Sequence, residues 1–324
     1  MRGRAAVLTL LMGLAATPAR PQTTAEMLGH PPGTRLLIVN ADDFGMCHAE
    51  NVATMELLLG GHISSATAMP PCPWFLEAAR FAREHPELSV GIHTTLTSEW
   101  KLYKWGPLLG AAVPSLVGPD GYFPEDTPWV ETHASAEDVE KELRAQIEHA
   151  LRHGLKPSHL DNHMATVYGL LTGRHFLDVV FKLCAEYGLP FRLPRNLGPR
   201  YEQALPADRV REMREMTRTL VERGFALPDY LETVERSRSY EETWQAYARL
   251  LRQLQPGVTE LYIHVAVESP EIQAITGSWE RRVWDYRVFK DPRTKALLDS
   301  LGVQMISYRQ LQELQRRRIP PSRL

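Results

Sequence analysis

Two adjacent carboxylates, Asp42 and Asp43, close an apolar run, Leu36-Leu37-Ile38-Val39, in the stretch LLIVNADDFGMCHAEN. Like charges side by side at the end of a buried strand are costly unless a cation or hydrogen bonds offset them. Three further strand-like stretches carry imidazoles: His93 in LSVGIHTTLT, His159 and His163 flanking Asp161 in PSHLDNHM, and His264 in ELYIHV. A lone His on an apolar strand is more often a satisfied core residue than a ligand. Two carboxylates and three His-bearing strand ends converging on one face point instead to metal-assisted hydrolysis. One carboxylate and two imidazoles can hold a divalent cation and leave positions for water and substrate. A second carboxylate can take the water's proton, and a His across the site can protonate the leaving group. Adjacent strand residues point to opposite sides, so Asp43 can face the metal while Asp42 faces the attacking water. The competing role is structural: either Asp can cap a helix beginning near Met46.

For these residues to meet, their strands must run parallel and end on one side. Strand-like stretches at 36–41, 63–69, 88–96, 158–162, 190–193, 259–265 and 303–307 alternate with amphipathic stretches at 48–59, 74–84, 135–153, 173–187, 206–224, 240–254 and 293–301. That alternation predicts an α/β fold of parallel strands with right-handed crossovers. It fits an irregular, TIM-like (β/α) barrel, where chemistry gathers at the carboxyl ends of the strands. An open doubly wound sheet is the runner-up, weakened because no glycine-rich phosphate loop follows the first strand. The helix over 135–153 is the clearest: Ser135 can cap it, Val139, Leu143, Ile147 and Leu151 share a face, and Gly154 closes it. A long insertion, 97–134, carries Trp100, Tyr103, Trp105, Tyr122, Phe123 and Trp129. It either walls a cleft with aromatic faces suited to sugar rings or forms a satellite hydrophobic cluster.

The 324 residues carry a net charge of −2 and are 44% hydrophobic and 23% charged. That is the mix of a soluble globular domain, with no basic field for nucleic acid. After the N-terminus no apolar run approaches the ~20 residues needed to cross a bilayer. The first residues, MRGRAAVLTLLMGLAATPARPQ, have the layout of a secretory signal peptide over 1–22, with cleavage near Ala19. The expected destination is secreted or periplasmic, with a single barrel domain over 33–316. Cys47, Cys72 and Cys184 form no disulfide framework and read as buried thiols.

Taken together, VNADDFGMCHAEN, SVGIHTTLT, PSHLDNHM and ELYIHV resemble the YdjC-like carbohydrate deacetylases (the ChbG/HpnK group), relatives of the NodB-type polysaccharide deacetylases. The resemblance runs from about residue 35 to 310. It implies an irregular (β/α) barrel that removes the acetyl group from an N-acetylated sugar or oligosaccharide with one divalent metal ion. Zn or Mg come first, then Mn, Co or Ni. It further implies Asp43 and His93 as metal ligands, with His163 as the third and His159 as the alternative. Asp42 is implied as general base and His264 as general acid. Arg192 and Arg195, in FRLPR, are implied to orient the base or the substrate. Family members often dimerise, which leaves a homodimer open. Two positions depart from the pattern: Ala165 stands where many members have His, and Val265 where many have Pro. Two rival functions remain at this stage: metal-dependent cleavage of a phosphoester or glycosidic bond, and glycan binding without catalysis.

Overall fold

The structure is a computed structural model and describes residues 21–198, 202–203, 205–235 and 237–323. The leader expected over 1–22 lies outside these residues except for its last two. Among these residues seven strands form one sheet: β1 Arg35–Phe44, β2 Ser65–Ala68, β3 Val90–Thr94, β4 Leu160–Asn162, β5 Tyr230–Glu232, β6 Gly257–His264 and β7 Gln304–Met305. Their order is β4-β3-β2-β1-β6-β5, with β7 beside the first residues of β1, and every pairing is parallel. β1 is buried from Leu36 to Phe44, as expected of a central parallel strand covered on both faces.

The sheet curls into an irregular barrel. Phe191 bridges Leu160 in parallel at the β4 edge. A few residues on, Arg195 N donates to Pro228 O at 2.9 Å and Asn196 N to Asp229 O at 3.0 Å. The 191–196 segment therefore spans the gap between β4 and β5 without being a regular strand. Register then fixes which side chains meet at the mouth. Asp42 of β1 lies beside His264 of β6, and His93 of β3 beside Asp161 of β4.

The crossover helices follow the expected periodicity closely: His48–Leu59, Phe75–Glu84, Ala136–Arg152, Leu177–Tyr187, Ala207–Glu222, Tyr240–Arg252 and Pro292–Leu301. Ser135 caps Ala136–Arg152 by accepting from Asp138 N. The pattern gave no sign of β5 or of the helices Thr127–His133, Pro270–Ile275, Trp279–Lys290 and Tyr308–Arg318. Trp279–Lys290 turns Arg282 and Asp285 inward beside Val283, Val288 and Phe289. Two buried charges on the inner face erase the apolar stripe that would announce the helix.

The 97–134 insertion packs down as a hydrophobic cluster rather than lining the cavity with its rings. Trp105, Val113, Leu116, Phe123 and Val130 join the main core. Buried Glu142 anchors the insertion by accepting from the backbone N–H groups of Leu108 and Leu109. Cys47, Cys72 and Cys184 are buried free thiols. Among the described residues no helix is long and apolar enough to cross a membrane.

Candidate metal centre and active site

The paired aspartates sit on an irregularity. Between Ala41 and Phe44 the β1–β2 register shifts, and Asp43 has φ 64°. An extra residue on one strand re-aims its side chains. Strict alternation would have sent Asp42 and Asp43 to opposite sides; instead both line the same cavity. The chain then turns at Gly45, φ 93°, whose N–H donates to Asn51 Oδ1 at 2.6 Å. A Cβ there would come within 3.0 Å of Phe75 Cα. Neither aspartate caps the following helix, whose N-cap is Cys47.

Asp43 Oδ1 is 3.4 Å from His93 Nε2 and 3.3 Å from His163 Nδ1, and the two nitrogens are 3.3 Å apart. The three residues are buried, and the oxygen has no hydrogen-bond partner. An orphaned buried carboxylate oxygen facing two imidazole nitrogens wants a ligand. The point equidistant from the three atoms lies about 1.9 Å from each, just inside the roughly 2.0–2.2 Å bonds of Zn or Mg. The donor set thus fits a divalent cation, which Asp43, His93 and His163 would hold.

Both imidazoles are held by their far nitrogens. His93 Nδ1 is 2.6 Å from Asp161 Oδ1, and His163 Nε2 is 3.0 Å from Glu99 Oε2. Each carboxylate takes the N–H and leaves the opposite lone pair for a metal. Burial disfavours the imidazolium form, yet Asp161 and Asp42 outweigh it and push His93 up to about 10. For His163, burial is outweighed by Glu99 and Asp43, which bring it up to about 9. The surroundings are therefore arranged for positive charge at this spot.

Asp42 lies under a different constraint. Arg192 grips it from both sides, Nη1 to Oδ2 at 2.7 Å and Nη2 to Oδ1 at 2.6 Å, while Asn40 Nδ2 donates to Oδ1 at 2.9 Å. Burial raises its pKa, but the Arg192 guanidinium overrides this and brings the carboxyl down to about 2. Arg192 is fixed in turn by Asp161 Oδ2 at 2.8 Å and Glu260 Oε1 at 2.7 Å. His264, the register neighbour of Asp42, lines the same cavity with Nε2 3.9 Å from Asp43 Oδ2 and its side chain 30% exposed. Burial holds this ring below its ordinary value despite Asp43.

The structure brings Asp42, Asp43, His93, His163, His264 and Arg192 together around one cavity of 320 Å³. It leaves out two others. His159 is fully buried in the barrel, with Nε2 3.2 Å from Asn40 Oδ1 and Nδ1 2.9 Å from Ser158 Oγ. Arg195 points away, to Asp229 Oδ1 at 3.1 Å and Thr24 Oγ1 at 3.2 Å. Two residues absent from the sequence reading are Glu99 and Arg282. Arg282 Nη1 donates to Asp43 Oδ2 at 2.9 Å and also reaches buried Glu50, with its guanidinium 5.8 Å from the Trp100 ring. It occupies the second oxygen of Asp43 and leaves the first to the imidazoles. Glu99 had one available signal, an acidic residue just past a His-bearing strand end. Arg282 had none, being distant in sequence and on an unannounced helix.

The sequence profile of a family described as YdjC-like protein matches residues 36–300. A carbohydrate deacetylase of Geobacillus stearothermophilus is 32% identical over 283 residues, 86% of this chain and 99% of that one. A chitooligosaccharide deacetylase of Yersinia enterocolitica is 28% identical, covering 85% and 98%. Among solved structures, an Enterococcus faecalis protein provisionally described as cleaving cellobiose phosphate superposes with a TM-score of 0.68 at 27% identity, covering 86% and 99%.

Proposed function

The chain belongs to the YdjC-like family, and from that membership and its site we propose that it is a metal-dependent carbohydrate deacetylase, hydrolysing the amide of an N-acetylated sugar or oligosaccharide. The observation that carries the reading is the partnerless buried oxygen of Asp43 between two oriented imidazoles. Asp43, His93 and His163 would hold the ion. When bound, a divalent cation supplies Lewis-acid polarisation of the acyl oxygen and lowers the pKa of a water.

The chain's own residues do the rest. Asp42 is ionised and fixed in direction by Arg192, so it stands ready to take a proton from the attacking water. His264, beside Asp42 in the sheet and kept neutral by burial, would receive the proton that Asp42 takes from water and pass it to the departing amine nitrogen. Arg282 holds Asp43 from behind, and Asp161 and Glu99 hold the two imidazoles. Amide and water become acetate and amino sugar.

Glycosidic cleavage fits less well. That reaction uses a carboxylic acid kept protonated by its surroundings. Among the described residues the carboxyls lining the cavity are Asp42, Asp43 and Glu99, and burial of each is outweighed by Arg192, Arg282 or His163 so that all lie below the usual range. A pure glycan binder would need neither a fixed base nor a facing His. We further propose export by the 1–22 leader, tested by fractionating cells that express the full chain. The deacetylase reading is tested by acetate release from N-acetylglucosamine oligomers, using chelator-treated protein with and without added Zn or Mg. Acetate only with metal supports it. Reducing ends or phosphate in place of acetate would overturn it.

A further inference from the structure

Asp42 is held from two directions, and both supports lead back to one point inside the barrel. In one direction its carboxylate is gripped by Arg192, whose Nε donates to Glu260 Oε1 at 2.7 Å. The other oxygen of Glu260 accepts from the Tyr308 hydroxyl. In the other direction Asn40 Nδ2 donates to Asp42 Oδ1 at 2.9 Å, and Asn40 Oδ1 lies 3.2 Å from His159 Nε2. The His159 ring stacks on Tyr308, so the circuit closes there, at the first turn of the Tyr308–Arg318 helix. Glu260 is fully buried on β6, between β1 and β5. A carboxylate at such a position is costly, and an aliphatic side chain would pack there more cheaply. Arg192 comes from the 191–196 segment, which is no regular strand, so no ladder fixes the direction of its side chain. Its guanidinium is a rigid plane with donors pointing in different directions. Glu260 takes Nε, the nitrogen that the grip on Asp42 leaves over. Asp161 shares Nη2 at 2.8 Å but also holds His93, whereas the hydrogen bonds of Glu260 run to Arg192 and Tyr308.

We propose that Glu260 is a positioning residue for the reaction: through Arg192 it holds the Asp42 carboxylate in the direction from which it takes the water's proton. The inference rests on the deacetylase reading and adds to it a residue buried behind the cavity. A base turned by a fraction of an ångström loses rate without losing substrate or metal, because neither is held by Asp42. Glu260 therefore acts on turnover, and its loss is told apart from a loss of packing by what stays constant.

The test measures acetate release from N-acetylglucosamine oligomers and Zn affinity by titration, with kcat counted per bound Zn, for wild type, Glu260→Leu, Glu260→Gln and Tyr308→Phe. Glu260→Leu should lower kcat by about 10–100-fold with KM and Zn affinity unchanged. Glu260→Gln keeps an oxygen for Arg192 Nε and should restore most of that loss. Tyr308→Phe keeps the ring on His159 and removes only the hydroxyl, so it should lower kcat by about threefold and decides the matter if Glu260→Leu does not fold. Unchanged kcat per Zn in Glu260→Leu, or in Tyr308→Phe where the former does not fold, overturns the proposal and leaves the deacetylase reading standing. Equal losses in Glu260→Gln and Glu260→Leu, or Zn affinity falling in step with kcat, overturn it in the same way. No acetate from the Zn-loaded wild type overturns both.

Discussion

His159 and His163 flank the short strand β4, the first before it and facing the barrel interior, the second after it and at the mouth. Inside, His159 stacks on Tyr308 with ring centroids 3.7 Å apart and planes 7° from parallel. Its Nδ1 ends a hydroxyl chain, Ser65 to Ser89 at 3.0 Å, Ser89 to Ser158 at 2.9 Å and Ser158 to the ring at 2.9 Å. At the mouth, Asp43 Oδ1 between His163 and His93 has no partner, and neither do Glu50 Oε2 and Arg282 Nε behind it. The residue types are alike in the two regions; their satisfaction differs. Interior polar groups complete one another and fix the barrel's register. Mouth groups are held rigidly from one side and left wanting on the other, as a preorganised ligand site requires.

The comparison breaks most visibly by exchanging the roles of the two histidines. His163→Ala should abolish tight Zn binding and turnover, while His159→Ala should retain Zn binding and lower stability by about 1–3 kcal/mol through the hydrogen bonds it orphans. Calorimetric metal titration and thermal unfolding on both variants check this, and loss of metal in His159→Ala alone would reverse the assignment. Asp42→Asn should keep the metal and lose turnover by roughly 10²–10⁴. Normal turnover in that variant would remove Asp42 from the reaction. Glu99→Gln touches only the far nitrogen of His163 and should weaken metal affinity by about 10–100-fold, read by competition with a chelator. The smallest effect belongs to the interior. Burial lifts Glu260 to about 7 against the opposing pull of Arg192. The folded chain therefore holds a proton that the unfolded chain releases, and this contribution to stability is present at low pH and lost as pH rises through about 7. Glu260→Gln should flatten the fall of Tm between pH 5 and pH 8; an unchanged slope would show that another group sets it.

Much of this was legible in the chain. The strand–helix alternation predicts the parallel barrel because periodicity reports which face is buried, and six of the seven strands lie within or against the expected stretches. β5 was silent because three residues, Tyr230–Glu232, are too few to show a period. Asp42, Asp43, His93, His163 and His264 could be picked out because a polar residue ending an apolar run breaks the pattern. Whether His159 or His163 faces the mouth could not, since that depends on partners distant in sequence, Asn40 and Tyr308 for one and Glu99 and Asp43 for the other. Arg282 was hidden for a related reason. An inward charge that serves the site is also what disguises the helix carrying it.

Asp43, His93 and His163 together would hold one divalent ion. Calorimetric titration of Zn into chelator-treated protein, wild type beside Asp43→Asn, tests it most directly. One tightly bound ion per chain is expected in the wild type and none of comparable affinity in the variant. Equal affinity and stoichiometry in both would contradict it.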